Sequence, residues 1–337
     1  ENQSTLFEED RSAEMSSLLE WIDTTEDGSL SDLGFQPSED MWEEVRSDSD
    51  ICLRARCPNF QQCFYQTSRR RAASAEVLVV NHHLLFTDLA VRRATDNYKH
   101  AAVLPAYRHV VLDEAHNVED AATSHLGVEI TRRGLYRTMS RLDRRGRGIL
   151  TTIHEVVGGT RNGDETRERV ENVVRPALSK ARASADGLFE ILEPFALPGE
   201  GPVRLGEGLG LEPASNEAVA QQLDRVLTCF GKLGREIAEL RARLELVEES
   251  LDALEGRLLD LRSVERRLSA VIQGLSLVLA PGDSAGAFVR WVESRGRGPK
   301  VNLVLAAAPI ELGSVLRESL FTEVETTVLT SATLTTH

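Results

Sequence analysis

A chain of 337 residues, 41% of them hydrophobic, is too long for one small domain and apolar enough to bury sizeable cores in two or three units. It begins without Met or a charged-then-apolar leader, and no apolar run approaches the roughly 20 residues that span a bilayer. We therefore expect a cytoplasmic fragment or processed chain and exclude secreted and membrane-spanning classes. The formal net charge of −14 is uneven: residues 1–50 hold 16 acids against two Arg, and the rest balances at 37 acids and 37 bases.

The acidic lead-in has few periodic apolar positions outside 15–22 and 41–45, which predicts two short helices joined by polar loop. The sign then reverses. Residues 51–75 contain Arg54, Arg56, Arg69, Arg70 and Arg71 and no acid, together with three of the four cysteines, Cys52, Cys57 and Cys63. Disulfides are not expected without a secretory context. Zinc sites favour paired gaps of two to four residues, whereas the gaps of four and five residues here suit an iron-sulfur cluster, which needs four ligands. Cys229 lies in a helical apolar pattern and reads as a buried thiol, so the fourth ligand is expected outside the chain. Phe60, Phe64 and Tyr65 suit either stacking on bases or packing the cysteine loop.

Residues 77–80 form a Val-rich run that predicts a buried strand, ending in Asn81-His82-His83 before a helix over 84–91. Asn81 and His82 suit a strand-end contact to nucleic acid, and a helix cap fits equally. After a loop over 98–108 comes VVLDEAHN. Its apolar residues predict a strand that delivers Asp113 and Glu114 to the carboxyl edge of a sheet, where α/β enzymes place their chemistry. A strand-end Asp can hold the Mg²⁺ of a nucleotide while its neighbour positions water, and His116 stands one step further out. Acids at a helix start are the plainer reading of the same pair.

Residues 132–147 hold seven Arg against Asp143, which suits a solvated helix face or a surface that follows phosphates. Residues 160–183 are predicted helical, and 197–213, rich in Gly and Pro, a loop. From Leu223 to Leu279 apolar residues recur in steps of three and four. The repeat slips at Glu265, where Val264 takes the expected position. One long helix or two would bury this stripe inside the chain, and a homodimeric coiled coil is the rival. Apolar runs at 288–292, 303–308 and 327–330 are expected to return to a parallel sheet.

The segments CLRARCPNFQQCFY, LVVNHHLLF, VVLDEAHNVEDAA and, at 328–334, VLTSATL resemble, in that order, the DinG/XPD group of superfamily 2 DNA helicases. The resemblance implies an α/β fold: part of a RecA-like parallel-sheet motor domain with an iron-sulfur segment and a large all-helical arch. Residues 1–76 would be the lead-in and cysteine segment, 77–130 and 287–337 the motor domain, and 131–286 the arch.

It further implies an ATP-dependent 5′-to-3′ helicase on single-stranded or forked DNA, serving DNA repair, with a [4Fe-4S] cluster where strands part. Asp113 would bind Mg²⁺ and Glu114 act as the base. His116, Ser331 and Thr333 would couple hydrolysis to DNA, and Cys52, Cys57 and Cys63 would be three cluster ligands. The DNA contacts expected are Arg54, Arg56, Arg69, Arg70, Arg71, Asn81 and His82. The family's phosphate loop and second motor domain are not found in the chain, so the fragment alone is expected to be inactive and monomeric. A redox-sensitive DNA-binding module and a DinG-like nuclease are the alternatives.

Overall fold

The computed structural model describes residues 2–38, 41–42, 45–47, 52, 57–144, 146–159, 163–196, 201–206, 213, 216–246, 252–296 and 301–332. They fall into two compact units, Glu1–Val79 and Val80–His337.

In the first unit α1 (Asn2–Ile22) is longer than its apolar positions predicted. Leu18 and Met41, from the two apolar patches of the lead-in, are each only 2% exposed. Glu14 closes this segment, accepting from the Ser38 amide at 2.5 Å and the Ser38 hydroxyl at 2.7 Å. Helix α2 (Phe64–Ser74) begins directly after Cys63 and carries Arg69, Arg70 and Arg71. The expected strand at 77–80 is not a strand: Val77 and Val79 are 80% and 96% exposed, and no described strand pairs with them. A β-run without a ladder partner leaves its amides to water.

The second unit starts with α3 (His82–Thr95), whose first turn is capped by Asn81. The irregular stretch that follows is organised by a buried pair. Arg92 binds Asp88 at 2.6 Å and also donates to the carbonyls of Asn97, Tyr98, His100, Leu104 and Pro105. Asp88 accepts in addition from the Leu104 amide and the Tyr107 hydroxyl. Burial and the Asp88 carboxylate push the Tyr107 phenol well above its usual range. A loop that would otherwise bury unpaired carbonyls is thereby satisfied, and it hands the chain to β1 (His109–Leu112).

Helix α4 (Val118–Leu126) follows, then β2 (Val128–Thr131). The helical insertion comprises α5 (Arg132–Leu142), α6 (Ile149–Val156), α7 (Gly163–Arg169), a π-helical turn and α8 (Arg175–Leu192). After β3 (Val203–Arg204) come α9 (Glu217–Glu245) and α10 (Asp252–Leu279). The chain closes through β4 (Phe288–Arg295), β5 (Asn302–Pro309), α11 (Leu312–Leu316) and β6 (Thr326–Leu329).

The architecture is mixed α/β, consistent with part of a RecA-like domain carrying a helical insertion. β1 and β6 form a parallel pair in the register Leu112↔Leu329. The strands at 288–295 and 302–309 differ from the expected parallel arrangement. They form an antiparallel hairpin inside a second sheet ordered β2-β5-β4-β3. Six residues separate Arg295 from its partner Asn302, and Gly296 takes a φ of +98°. So short a link permits antiparallel pairing, whereas a parallel return needs a crossover of a dozen residues or more.

The apolar stripe is covered within the chain by two helices. Leu223, Val226, Phe230, Leu233, Ile237, Leu240 and Leu244 of α9 are all buried in one core with α8, α10 and the antiparallel sheet. The stripe positions Val247 and Leu251 lie outside the described residues. The slip in register has a visible reason. Val264 fills the core, fully buried, while Glu265 turns aside to pair with Arg241 of α9 at 2.7 Å. Cys229 packs against this core as a partly buried thiol.

Candidate functional site

The parallel register sets the site. Pairing continues one step beyond the strands: the Thr330 amide donates to the Leu112 carbonyl at 2.9 Å, and the Ala115 amide to the Thr330 carbonyl at 2.8 Å. Asp113 and Thr330 therefore emerge side by side, and the Thr330 hydroxyl donates to Asp113 Oδ1 at 2.5 Å. That bond, then the Glu114 amide, and the positive charge of His82 hold the exposed Asp113 carboxyl below its usual range. An ionised, exposed carboxylate suits Mg²⁺, which takes one or two carboxylates and fills its octahedron with water and phosphate oxygens.

Glu114 adopts φ +49° and ψ +51°, the left-handed region. Non-glycine residues are uncommon there, and held ones cluster at functional sites. This turn ends the strand and starts a short 3-10 segment that brings His116 back toward Glu114. His116 Nδ1 lies 3.3 Å from Glu114 Oε2 and 2.9 Å from Ser331 Oγ. The structure thus gathers Asp113, Glu114, His116 and Ser331 from the ends of two adjacent strands. Thr333 lies outside the described residues.

Sequence reasoning missed Thr330. Its signal was the register: in a parallel pair ending at Leu112 and Leu329, the next residues are Asp113 and Thr330. It also missed the partner of the second histidine, since His83 Nδ1 and His125 Nε2 lie 2.8 Å apart between α3 and α4. Partial burial and the His83 charge push the His125 imidazole below its usual range. Asn81 commits its side-chain oxygen to the helix cap, accepting from the Leu84 amide at 2.8 Å. His82 acts on Asp113 electrostatically.

In the first unit, Arg70 stabilises the cysteine loop. It donates to Gln61 Oε1, the Gln61 carbonyl and the Thr67 hydroxyl, and lies over the Phe60 ring at 5.9 Å. Of the three aromatic candidates Phe60 is thus under Arg70, and Tyr65 is 40% exposed. Arg71 is exposed and Arg69 half-buried; Arg54 and Arg56 lie outside the described residues. Cys63 precedes α2, and Cys52 Sγ is 3.8 Å from Gln66 Nε2. Among the described residues no three His, Cys, Asp or Glu side chains converge into a metal-holding group. The thiols as placed do not fit a cluster, and the iron-sulfur reading stands on their sequence spacing. In the insertion, Arg132 lies over the Phe189 ring and Arg141 is 3.7 Å from Asp260, so part of the basic run is tied to neighbouring helices.

The comparisons with known proteins fall on the same segments. Residues 40–135, which include Cys52, Cys57, Cys63 and the acids that follow β1, match the family model DEAD_2. The 3′-5′ exonuclease DinG of Bacillus subtilis is 26% identical over 332 residues, 94% of this chain and 33% of its own length. The ATP-dependent helicase DinG of Mycobacterium tuberculosis is 36% identical over 128 residues, 38% of this chain and 18% of its own. The chain is similar to DinG-type proteins along nearly its whole length. A further relative, the ATP-dependent DNA helicase YoaA of Haemophilus influenzae, is 31% identical over 126 residues, 37% of this chain and 19% of its own. The chain spans a third or less of each of these relatives. No helix among its described residues is long and apolar enough to cross a membrane.

Proposed function

We propose that this chain is the acidic-box portion of a cytoplasmic, ATP-dependent DNA helicase of the DinG type, moving along single-stranded or forked DNA from 5′ to 3′. The observation that carries the reading is the double lock between two strand ends, Thr330 on Asp113 and Ser331 on His116. Asp113, kept ionised, would hold the Mg²⁺ of a nucleotide, which would supply charge neutralisation there. Glu114, carried clear of the strand by its left-handed turn, orients the attacking water and takes its proton. His116 bridges Glu114 and Ser331, so a shift of the β6 end is felt at the catalytic base. Thr333 extends that coupling. Hydrolysis requires a phosphate cradle and a closing partner domain to position the nucleotide, so the 337-residue chain alone is inactive.

Arg54, Arg56, Arg69 and Arg71 supply phosphate contacts, His82 adds a further one, and Tyr65 is the aromatic available for stacking. Arg70 and Asn81 support the surrounding structure. Cys52, Cys57 and Cys63 are proposed as three ligands of a [4Fe-4S] cluster on spacing alone, and no step above depends on it. A second reading, nuclease, is favoured by the Bacillus relative named as an exonuclease, which aligns with nearly the whole chain.

The test uses the full-length protein purified without oxygen, with ATPase measured with and without single-stranded DNA. DNA-stimulated ATPase that falls at least a hundredfold in Glu114→Gln, an order typical of a lost catalytic base, with unwinding from a 5′ tail, supports the helicase. Shortening of the DNA without ATPase establishes the nuclease. Iron and acid-labile sulfide in about fourfold molar ratio support the cluster, and zinc or no metal removes it.

A further inference from the structure

The two neighbouring histidines of α3 diverge. His82 acts on Asp113, whereas His83, about 100° further round the helix, reaches the end of α4. There His83 Nδ1 and His125 Nε2 face each other at 2.8 Å, with the ring centroids 5.0 Å apart. The hydrogen between them follows from Thr87. Its hydroxyl donates its single hydrogen to the His83 carbonyl at 2.8 Å, so toward His125 Nδ1, at 3.3 Å, it accepts. In the neutral His125 ring Nδ1 therefore carries the hydrogen, and Nε2 presents a lone pair to His83. His83 Nδ1 fills the gap with a hydrogen of its own.

The gap has the attributes of a cation site. Both rings stand on elements packed into one core, through Phe86 and Leu89 of α3 and Ala121 and Ala122 of α4. Thr87 holds the N–H of His125 on the side away from the lone pair, which is how metal-ligating histidines are oriented. The lowered His125 pKa keeps that lone pair available at neutral pH. His83 is exposed, so the gap is open to solvent.

We infer that His83 Nδ1 and His125 Nε2 form a site for an exchangeable, imidazole-preferring divalent cation such as Zn²⁺, which takes the place of the hydrogen between them and clamps α3 to α4. On binding, the hydrogen leaves His83 Nδ1 and another is taken up from water at His83 Nε2, so the ring stays neutral and no net proton is released. Metal–nitrogen bonds of about 2.0–2.1 Å at a tetrahedral angle set the nitrogens about 3.3 Å apart, so the gap widens by about 0.5 Å. Among the described residues no third such side chain joins the pair. Water fills the remaining positions, and the ion exchanges. The clamp adjoins the acidic box, because His82 stands next to one ligand and α4 begins directly after Asn117. It needs neither nucleotide nor DNA, and so stands apart from the helicase reading.

The experiment uses the 337-residue chain labelled with ¹⁵N only at its eight histidines. Long-range ¹H–¹⁵N spectra at pH 7.5 distinguish protonated, free and metal-bound ring nitrogens. They are recorded without metal and through a Zn²⁺ titration carried past the four thiols. Without metal, His125 should carry its hydrogen on Nδ1. With Zn²⁺, His125 Nε2 and His83 Nδ1 should shift together with one midpoint, and the His83 hydrogen should move to Nε2. His83→Gln should weaken the His125 response at least tenfold. Thr87→Val, which frees the His125 ring to change tautomer, should raise the midpoint about tenfold, the order of a lost outer partner. If the two rings of the parent stay put or move with different midpoints, the contact is a hydrogen bond only and the site is overturned. A hydrogen on His125 Nε2 in the metal-free parent overturns it equally, as does an unchanged His125 response in His83→Gln.

Discussion

At the scale of single residues, Thr330 decides how the site presents the Asp113 carboxylate. Its hydroxyl contributes most to the lowered pKa of Asp113. A depressed carboxyl pKa gives a contribution that is present above the unfolded value, about 3.9, and is lost as pH falls through the folded one. We expect Thr330→Val to move the Asp113 titration up toward that ordinary value, read by carboxyl NMR. If the proposed function holds, it should raise severalfold the Mg²⁺ that the full-length protein needs for half-maximal ATPase, and Thr330→Ser should leave both near the parent. An unchanged Mg²⁺ requirement in the Val variant would sink this role.

The Asp88–Arg92 pair makes a second prediction at this scale. Both side chains are essentially buried, 0% and 2% exposed as residues. Arg92→Met leaves the Asp88 carboxylate uncompensated and should cost about 3–5 kcal/mol, measured by urea unfolding of the chain. A loss below 1 kcal/mol would show that the loop finds other partners. Nothing in the sequence marked this pair, because an Asp and an Arg four apart on a helix read as an exposed couple. Only the carbonyls of the following loop, at a distance no periodicity reports, explain why the couple is buried.

At the scale of elements, the histidine contact between α3 and α4 ties their packing to pH. The lowered His125 pKa means that the unfolded chain takes up a proton there before the folded one does. Stability should therefore fall as pH drops through about 6.5 and level off below the folded pKa. Thermal melts at pH 7.5 and 5.5 should show a larger drop for the parent than for His83→Gln, which removes the opposing charge. Equal drops would assign the loss elsewhere.

Elements also show what the sequence could carry. The α9 stripe was legible to the residue, because burial at seven successive positions requires one face at helical spacing, and the slip at Glu265 was legible as an interruption. The orientation of β4 and β5 was not, although the short Gly-containing link held the signal. An apolar run such as Leu303–Ala308 has the same composition in either sheet type, since both of its faces are covered. At the site, the acids and Ser331 were readable as strand-end chemistry. Thr330 needed the pairing register, which joins residues 217 apart in sequence.

At the scale of the whole molecule, the covered stripe bears on assembly. Because α8, α10 and the sheet bury the α9 residues that a coiled-coil dimer would use, we expect the chain to sediment as a monomer over a hundredfold range of concentration. A concentration-dependent dimer in analytical ultracentrifugation would mean that another surface mediates association.

The pairing of β1 with β6 also orders events in time. Joining Leu112 to Leu329 directly closes a loop of more than two hundred residues. Once β2 and β5 have paired at Ile130 and Leu305, only 18 residues on one side and 24 on the other remain to be closed. Loop-closure entropy grows with the logarithm of length, so prior pairing saves about 1.5 kcal/mol. The insertion has its own core and largely local contacts, which favours its early formation. Asp113 and Thr330 thus meet late in refolding, and every newly made chain passes through a stage in which the insertion is built while the acidic box has no partner strand.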